Sequence, residues 1–145
     1  MTSLPRLDHV NITVADLEAA IAFFTGLGLE LTARMTIDGP FLDTVVGLDD
    51  ARTDTAWLTP PGGGGALEIS TYERPGTLPA DAAPPHAVGL RAVCLEITDL
   101  RSTVDRLLAA GHTLVGEVGE YEGTWLMAYV RGPEGIIVSL TERVG

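Results

Sequence analysis

Two side chains in the first half of the chain have types suited to acid–base or metal chemistry: the imidazole in LDHVNITV and the carboxylate in GGALEIS. Polar and aliphatic residues alternate in LDHVNITV, so His9, Asn11 and Thr13 share one face of a predicted strand. Glu68 lies in an otherwise apolar strand, where a carboxylate must face a wet cavity or find a partner. We therefore predict His9 and Glu68 to be functional groups on a cavity wall, beside the ligand-contacting Asn11.

The segment that carries His9 is repeated later in the chain. LDHVNITVADLEAAIAFF at 7–24 matches LRAVCLEITDLRSTVDRL at 90–107 with an offset of 83, and GGALEIS matches GIIVSLT with an offset of 71. Each copy predicts a strand (7–14 and 90–97) followed by a helix, with Asp16 or Asp99 as its N-cap. The apolar positions predicted to face the core are Leu17, Ala20, Ile21 and Phe24 in the first helix and Leu100, Val104, Leu107 and Leu108 in the second.

A glycine ends each predicted helix, and three strands follow it. Gly28 and Gly111 are expected in the left-handed conformation that closes a helix. The strands are expected near 30–37, 53–59 and 65–72 in the first copy, and near 113–119, 124–131 and 135–142 in the second. The first copy also has GPFLDTVVGLDD, which predicts an additional short helix.

This pattern predicts an α+β fold of two tandem βαβββ modules. We expect a single domain over 1–145, with module 1 at 5–73, a Pro/Ala-rich linker at 74–88 and module 2 at 89–145. The face of the second copy that matches His9 and Asn11 carries Ala92 and Cys94. A sheet face with so many polar groups is a poor core and a reasonable cavity lining.

Further residues on the predicted strands are candidates for ligand contact. Cys94 is expected to be a small buried residue rather than a nucleophile, and Ser139 is expected to line the cavity. The large side chains on the strands either pack in the core or form an aromatic wall for a flat organic ligand. These residues are Trp57, Trp125, Met127 and Tyr129.

The composition excludes several classes of function. The 145 residues have a net charge of −11, with nine arginines and no lysine. The chain thus lacks the basic footprint of a nucleic-acid-binding protein and the lysine of a phosphate-binding loop, and GGGG at 62–65 predicts a hairpin turn. Because no apolar run would span a bilayer and the N-terminus has no signal-peptide core, we expect a cytoplasmic protein with no membrane partner.

The repeat and its motifs resemble the vicinal oxygen chelate superfamily, which includes glyoxalases, bleomycin resistance proteins and extradiol dioxygenases. The resemblance rests on LDHVNITVADLEAAIAFFTGLGLEL, GGGALEIS, GLRAVCLEITDLRSTVDRLLAAG and YVRGPEGIIVSL. It implies that each module curls into a half-open barrel and that paired modules enclose a cavity. It also implies a homodimer, because many relatives build the cavity across a two-fold axis.

The resemblance further implies four metal-ligand positions, two in each module. They fall on His9 and Glu68 in the first module and on Ala92 and Ser139 in the second. Imidazole and carboxylate suit Zn, Ni, Mn, Fe or Co, but two protein ligands are one fewer than a catalytic zinc site usually has. A divalent metal is therefore expected to bind weakly, if it is used at all.

Two functions follow from this resemblance. The first is a small-molecule-binding protein of the glyoxalase/bleomycin resistance type, which holds a hydrophobic or aromatic compound in the barrel cavity. The alternative is a divergent glyoxalase-like, metal-assisted lyase or isomerase in which His9 and Glu68 are the catalytic residues. An extradiol dioxygenase fits less well, because its iron requires a second histidine ligand.

Overall fold

The structure, a computed structural model, describes residues 4–145. The chain forms two compact units, which divide between Pro79 and Ala80. We call the part before this point the first unit and the part after it the second unit. The division falls inside the segment 74–88 that the sequence predicts as a linker, and the module bounds stay a prediction.

The first unit contains four strands and two helices. They are β1 (His9–Thr13), α1 (Leu17–Gly26), β2 (Glu30–Asp38), α2 (Pro40–Val46), β3 (Arg52–Thr59) and β4 (Ala66–Arg74). The sheet has the order β1-β4-β3-β2, and β1 pairs with β4 in parallel while the other pairs are antiparallel. The additional helix predicted in GPFLDTVVGLDD is present as α2, and the glycine run at 62–65 lies in the β3–β4 hairpin turn, as predicted.

The second unit repeats this arrangement with one α-helix. Its elements are β5 (Ala92–Glu96), α3 (Leu100–Ala109), β6 (Thr113–Leu114), β7 (Gly119–Tyr121), β8 (Trp125–Arg131), a short 3-10 helix (Pro133–Gly135) and β9 (Ile137–Arg143). The sheet has the order β5-β9-β8-β6, with β7 also paired to β8, and its first and last strands are again parallel. The predicted α+β fold with two βαβββ repeats is therefore confirmed, although neither sheet closes into a barrel.

The single strand predicted near 113–119 is wrong, because this segment pairs with β8 in two registers. Leu114 lies opposite Val130, whereas Gly119 lies opposite Met127. Five residues advance along one strand while three advance along the other, so the intervening residues leave the ladder. The third strand of the repeat is consequently split into β6 and β7.

Each helix covers one face of its sheet. The buried residues of α1 are Leu17, Ala20, Phe23 and Phe24, and those of α3 are Leu100, Val104 and Leu107. In α1 the sequence predicted Ile21 where the structure buries Phe23, and Ile21 is only half-buried. In α3 the sequence also predicted Leu108, which is exposed. The covered faces carry aliphatic side chains at every second position, such as Leu67 and Ile69 on β4. The opposite faces are left for polar and aromatic residues.

The two repeated helices start in different ways. The Asp16 carboxylate accepts a hydrogen bond from the Ala19 amide at 3.0 Å, as expected of an N-cap. The prediction for Asp99 is wrong, because its backbone is left-handed (φ 56°) and its side chain makes no capping bond. The Glu142 carboxylate of β9 caps α3 instead, accepting from the Asp99 amide at 2.5 Å and the Leu100 amide at 3.0 Å.

The glycines after α1 and α3 have the conformation that the sequence predicts. Gly28 has φ of 109° and Gly111 has φ of 98°, a backbone conformation that would be strained in a residue with a side chain.

Both helices are short: α1 and α3 have 10 residues each. Over the range 4–145, no helix is long and apolar enough to cross a membrane.

Candidate functional site

A row of functional side chains crosses the first sheet on the face opposite α1. The parallel pairing of β1 with β4 places Asn11 beside Glu68, and the antiparallel pairing of β3 with β4 places Trp57 on the other side of Glu68. His9 lies two residues before Asn11 and therefore on the same face. We call His9, Asn11, Trp57 and Glu68 the polar cluster of the first unit.

Asn11 provides the partner that Glu68 needs in a largely apolar strand. Its side-chain amide donates to Glu68 Oε1 at 2.8 Å and to the Glu68 carbonyl oxygen at 3.2 Å. The Glu68 side chain is 23% exposed, so the second carboxylate oxygen remains within reach of a ligand. One oxygen is thus held by the protein and the other faces His9.

His9 is fixed by contacts on two sides. Its Nδ1 lies 2.7 Å from Asp8 Oδ2, and its ring packs edge-on against Trp57 with a centroid separation of 4.7 Å and an interplanar angle of 65°. Its Nε2 lies 4.0 Å from Glu68 Oε2. The sequence predicted the histidine and the glutamate but missed Asp8, because neighbours in a strand point to opposite faces. Asp8 immediately precedes β1, so its side chain does not follow the alternation of the strand and can lie beside His9.

The geometry gives the imidazole a defined orientation. When Nδ1 carries a proton it donates to Asp8, and Nε2 is then directed toward the Glu68 carboxylate. A separation of 4.0 Å is too long for a direct hydrogen bond. One small group that lies within hydrogen-bonding distance of both atoms can instead be bound by them, or can exchange a proton with either atom.

The donor set of the polar cluster is incomplete for a catalytic metal. Nitrogen and oxygen ligands about 2.1 Å from a tetrahedral ion are about 3.4 Å apart, so small side-chain movements would bring Nε2 and Oε2 into place. The types of donor therefore fit a borderline divalent metal. Their number does not fit, since residues 4–145 contain no group of three or more His, Cys, Asp or Glu side chains suited to hold a metal ion.

Buried hydroxyl groups continue the same face beyond Glu68. Ser70 lies opposite Thr55, and their side-chain oxygens are 3.0 Å apart; Thr55 also hydrogen-bonds Thr53 at 3.1 Å. All three residues are buried. Alternation along the strands thus adds polar groups to this face beyond Glu68, and the hydrogen-bonded hydroxyls join the strands that carry Glu68 and Trp57.

The second sheet carries different residues at the corresponding places. Cys94 and Tyr129 both lie opposite Ser139, so this row occupies the positions of Asn11, Trp57 and Glu68. Ser139 is buried, but the prediction that Cys94 is buried is wrong, because its thiol side is exposed on the uncovered face of β5. Ala92, which corresponds to His9, offers no ligand atom.

The same face of the second sheet forms an apolar groove. The groove has a volume of about 580 Å³ and is open to solvent. It is lined by Gly119, Glu120, Tyr121, Trp125, Met127 and Thr141. The β8–β9 pairing fixes Trp125, Met127 and Tyr129 on the face opposite α3, a choice that the sequence left open. Tyr129 lies further along that face, outside the groove lining.

Tyr121 is the groove residue that sequence reasoning missed. It lies on β7 directly opposite Trp125, so the two aromatic side chains share the uncovered face. β7 was not predicted as a separate strand, and without that strand Tyr121 has no register. An aromatic residue just before the turn that leads into β8 was the available signal.

These features belong to a family with a shared scaffold. A model of the Glyoxalase/Bleomycin resistance protein/Dioxygenase superfamily matches residues 6–140, and the chain belongs to this superfamily. The chain is 29% identical over 143 residues to an ethylmalonyl-CoA/methylmalonyl-CoA epimerase from Cereibacter sphaeroides, covering 94% of this chain and 97% of the epimerase.

Solved structures agree with this assignment. A glyoxalase family protein from Bacillus cereus has a TM-score of 0.95 and 36% identity, covering 99% of this chain and 97% of that protein. The trypanothione-dependent glyoxalase I of Leishmania major has a TM-score of 0.64 and 20% identity, covering 96% of this chain and 87% of that enzyme. At this lower identity the likeness concerns the fold alone.

Proposed function

We propose that this protein binds a small organic molecule with an aromatic or apolar body in the groove of the second unit. The observation that carries the proposal is a space of about 580 Å³ lined by the exposed side chains of Tyr121 and Met127 and the half-buried side chain of Trp125. This volume lies within the range of about 300–1,000 Å³ that is typical of ligand sites. Aromatic and thioether side chains offer a large contact area to a flat molecule.

The position of the groove supports the same proposal. Side chains of α3 cover the opposite face of the second sheet, so the groove residues are not needed for the core of that unit. The free energy falls when a ligand covers apolar side chains that are otherwise exposed to water. Cys94, Tyr129 and Ser139 in the second unit remain proposed ligand contacts, and ligand contact by Asn11 and Trp57 in the first unit stays a separate prediction from the sequence.

A neutral fluorescent probe tests the groove directly. We expect N-phenyl-1-naphthylamine to bind the purified protein, and Met127→Ser to weaken binding about tenfold because apolar contact is lost. Leu108→Ser is the matched control, since Leu108 is 45% exposed and Met127 is 43% exposed, yet Leu108 lies on α3. Equal effects of the two changes, or no probe binding at all, would contradict the proposal.

A second candidate function rests on the polar cluster of the first unit. The His9 Nε2 and Glu68 Oε2 atoms are 4.0 Å apart and partly exposed, which suits proton transfer to and from one group. The similarity to an epimerase favours an isomerase that removes a proton beside a carbonyl. In this reaction Glu68 takes the proton, and a His9 side chain protonated on both ring nitrogens donates from Nδ1 to Asp8 and from Nε2 to the oxygen that becomes negative.

The short separation limits the stereochemistry of such a reaction. Two groups that act on opposite faces of one carbon, each about 3–3.5 Å from it, are separated by about 6–7 Å. A separation of 4.0 Å therefore fits two groups that act on the same face. The pair fits a same-face proton shift or elimination better than direct inversion by two opposed bases.

Exchange of substrate protons for solvent deuterium tests this second candidate. NMR would follow α-branched acyl thioesters and hemithioacetals of 2-oxoaldehydes, without metal and with Zn²⁺, Ni²⁺, Mn²⁺, Fe²⁺ or Co²⁺ added. Exchange by the wild-type protein should be lost in Glu68→Gln and kept in Glu73→Gln, because Glu73 pairs with Arg52 elsewhere on the sheet. Exchange that survives Glu68→Gln would exclude Glu68 as the base.

The remaining proposals concern assembly and location. We propose a homodimer, in line with relatives that build a cavity from two subunits, and light scattering of the full chain should give twice the mass of one chain. A mass of one chain at micromolar concentration would contradict it. The cytoplasmic location stays a prediction from the sequence, and fractionation of the source cells would test it.

A further inference from the structure

A single cationic side chain adjoins the apolar groove. Arg143 on β9 lies directly opposite Trp125 on β8, so both side chains are on the uncovered face of the second sheet. The Arg143 guanidinium carbon lies 5.8 Å from the centre of the Trp125 ring, within the range of a cation–π contact. The cation is thus held at the edge of the groove by one of the residues that line it.

Three other arginines of the chain pair with carboxylates, whereas Arg143 forms no ion pair with an acidic side chain within residues 4–145. Arg34 and Arg52 are each bound by two carboxylates, and these hydrogen bonds raise the pKa of both side chains. Arg74 pairs with Asp50. The Nη1 of Arg131 donates to the carbonyl oxygens of Ala83 and Gly135, at 2.8 Å each.

The terminal nitrogens of Arg143 are available to a ligand. Its Nε donates to the Gly145 backbone oxygen at 3.4 Å, and within residues 4–145 neither Nη atom has a hydrogen bond or an ion pair. Because the chain has 20 acidic residues, nine basic residues and a net charge of −11, a guanidinium at the edge of the groove is a local departure from the overall negative charge. A guanidinium presents its donors as a planar fork that matches a carboxylate.

Glu120 is one of the residues that line the groove, but its carboxylate forms no ion pair with Arg143 within residues 4–145. Glu120 lies opposite Leu126, whereas its neighbours Gly119 and Tyr121 lie opposite Met127 and Trp125. Alternation along β7 therefore directs the Glu120 side chain to the face opposite that of Trp125 and Arg143. The Glu96 carboxylate of β5 does share the uncovered face, because Glu96 lies opposite Thr141 on β9, but no ion pair joins it to Arg143 within residues 4–145.

We propose that the ligand of the groove is a flat aromatic carboxylate. Its ring system lies against Tyr121 and Met127, and its carboxylate accepts two hydrogen bonds from the Nη groups of Arg143. This inference rests on the proposed binding function of the groove and adds the charge of the ligand to it. It also gives Arg143 the role of a specificity-determining residue.

A pair of probes of equal size and different charge tests the inference. Binding of 2-naphthoate and of neutral 2-naphthamide is measured by isothermal titration calorimetry on the full-length protein at low salt. A paired carboxylate should make 2-naphthoate bind at least tenfold more tightly. Arg143→Gln should abolish this preference and leave 2-naphthamide affinity within about threefold, whereas Arg101→Gln, an exposed change on α3, should alter neither.

The possible failures separate the two levels of the proposal. Equal affinities for the two probes in the wild-type protein would overturn the anionic ligand and leave the groove as a binding site. An equal loss of affinity for both probes in Arg143→Gln would show that Arg143 acts only by packing on Trp125, which also overturns it. Binding of neither probe, together with no binding of N-phenyl-1-naphthylamine, would refute the groove itself.

Discussion

The Glu142 carboxylate should be a major source of stability for the second unit. It accepts hydrogen bonds from the Asp99 and Leu100 amides, which are otherwise unpaired at the start of α3. Loss of an ordinary N-cap costs about 0.5–2 kcal/mol, and a charged acceptor near the positive end of the helix dipole adds about 0.3–1 kcal/mol. We therefore expect Glu142→Ala to lower the free energy of unfolding by about 2 kcal/mol.

Urea unfolding followed by circular dichroism measures this loss. With a slope of about 2 kcal/mol per molar urea, a loss of about 2 kcal/mol shifts the midpoint down by about 1 M. Asp16→Ala removes a local cap that makes one hydrogen bond, so its shift should be about half as large. Glu142→Gln keeps one acceptor oxygen and should fall between the wild-type protein and Glu142→Ala.

A surface glutamate supplies the control for this experiment. Glu117 is exposed in the irregular segment between β6 and β7, and Glu117→Ala should stay within about 0.5 kcal/mol of the wild-type protein. If Glu142→Ala has a midpoint within 0.2 M of Glu117→Ala, the two hydrogen bonds do not stabilise α3. The account of how the second helix begins would then be wrong.

Three further predictions concern single residues. Asp99→Gly should not destabilise the protein and should raise its urea midpoint slightly, because glycine adopts φ of 56° without strain; a fall of more than 0.3 M would contradict this. Cys94 should react with 5,5′-dithiobis-(2-nitrobenzoate) in the native protein at one equivalent, because its side chain is exposed; reaction only after addition of urea would show that it is covered. Zn²⁺ should bind more weakly than micromolar by calorimetry, and His9→Ala should abolish this binding, since two protein donors hold a metal poorly; tight binding that survives His9→Ala would place the metal elsewhere.

The periodicity of the sequence was sufficient to predict the fold. Alternation in LDHVNITV and helical spacing after Asp16 each depend on residues within one element, so they are visible without the tertiary structure. The repeat with an offset of 83 then carried the same assignment to the second copy. Proximity of His9 to Glu68 was implied by the resemblance, and the structure places Nε2 and Oε2 4.0 Å apart.

The features that the sequence did not predict depend on pairing between distant segments. The cap of α3 comes from Glu142, 43 residues after Asp99, and nothing local to Asp99 indicates it. The split between β6 and β7 follows from a change of register against β8, which a single strand does not reveal. The exposure of Cys94 likewise depends on what covers its sheet face rather than on its own neighbours in the chain.

The matching registers of the two sheets have a consequence for the history and the redesign of this protein. His9 lies two residues before the partner of Glu68, and Ala92 lies two residues before the partner of Ser139. The backbone register that places an imidazole beside a carboxylate in the first sheet is therefore also present in the second sheet, which has neither group at these positions. Two amino-acid substitutions, Ala92→His and Ser139→Glu, would place the same pair of donor groups on the second sheet. In a chain built of two repeated modules, either module can thus gain or lose its pair of metal-donor residues by substitutions alone. A protein engineer can follow the same route toward an artificial metalloenzyme.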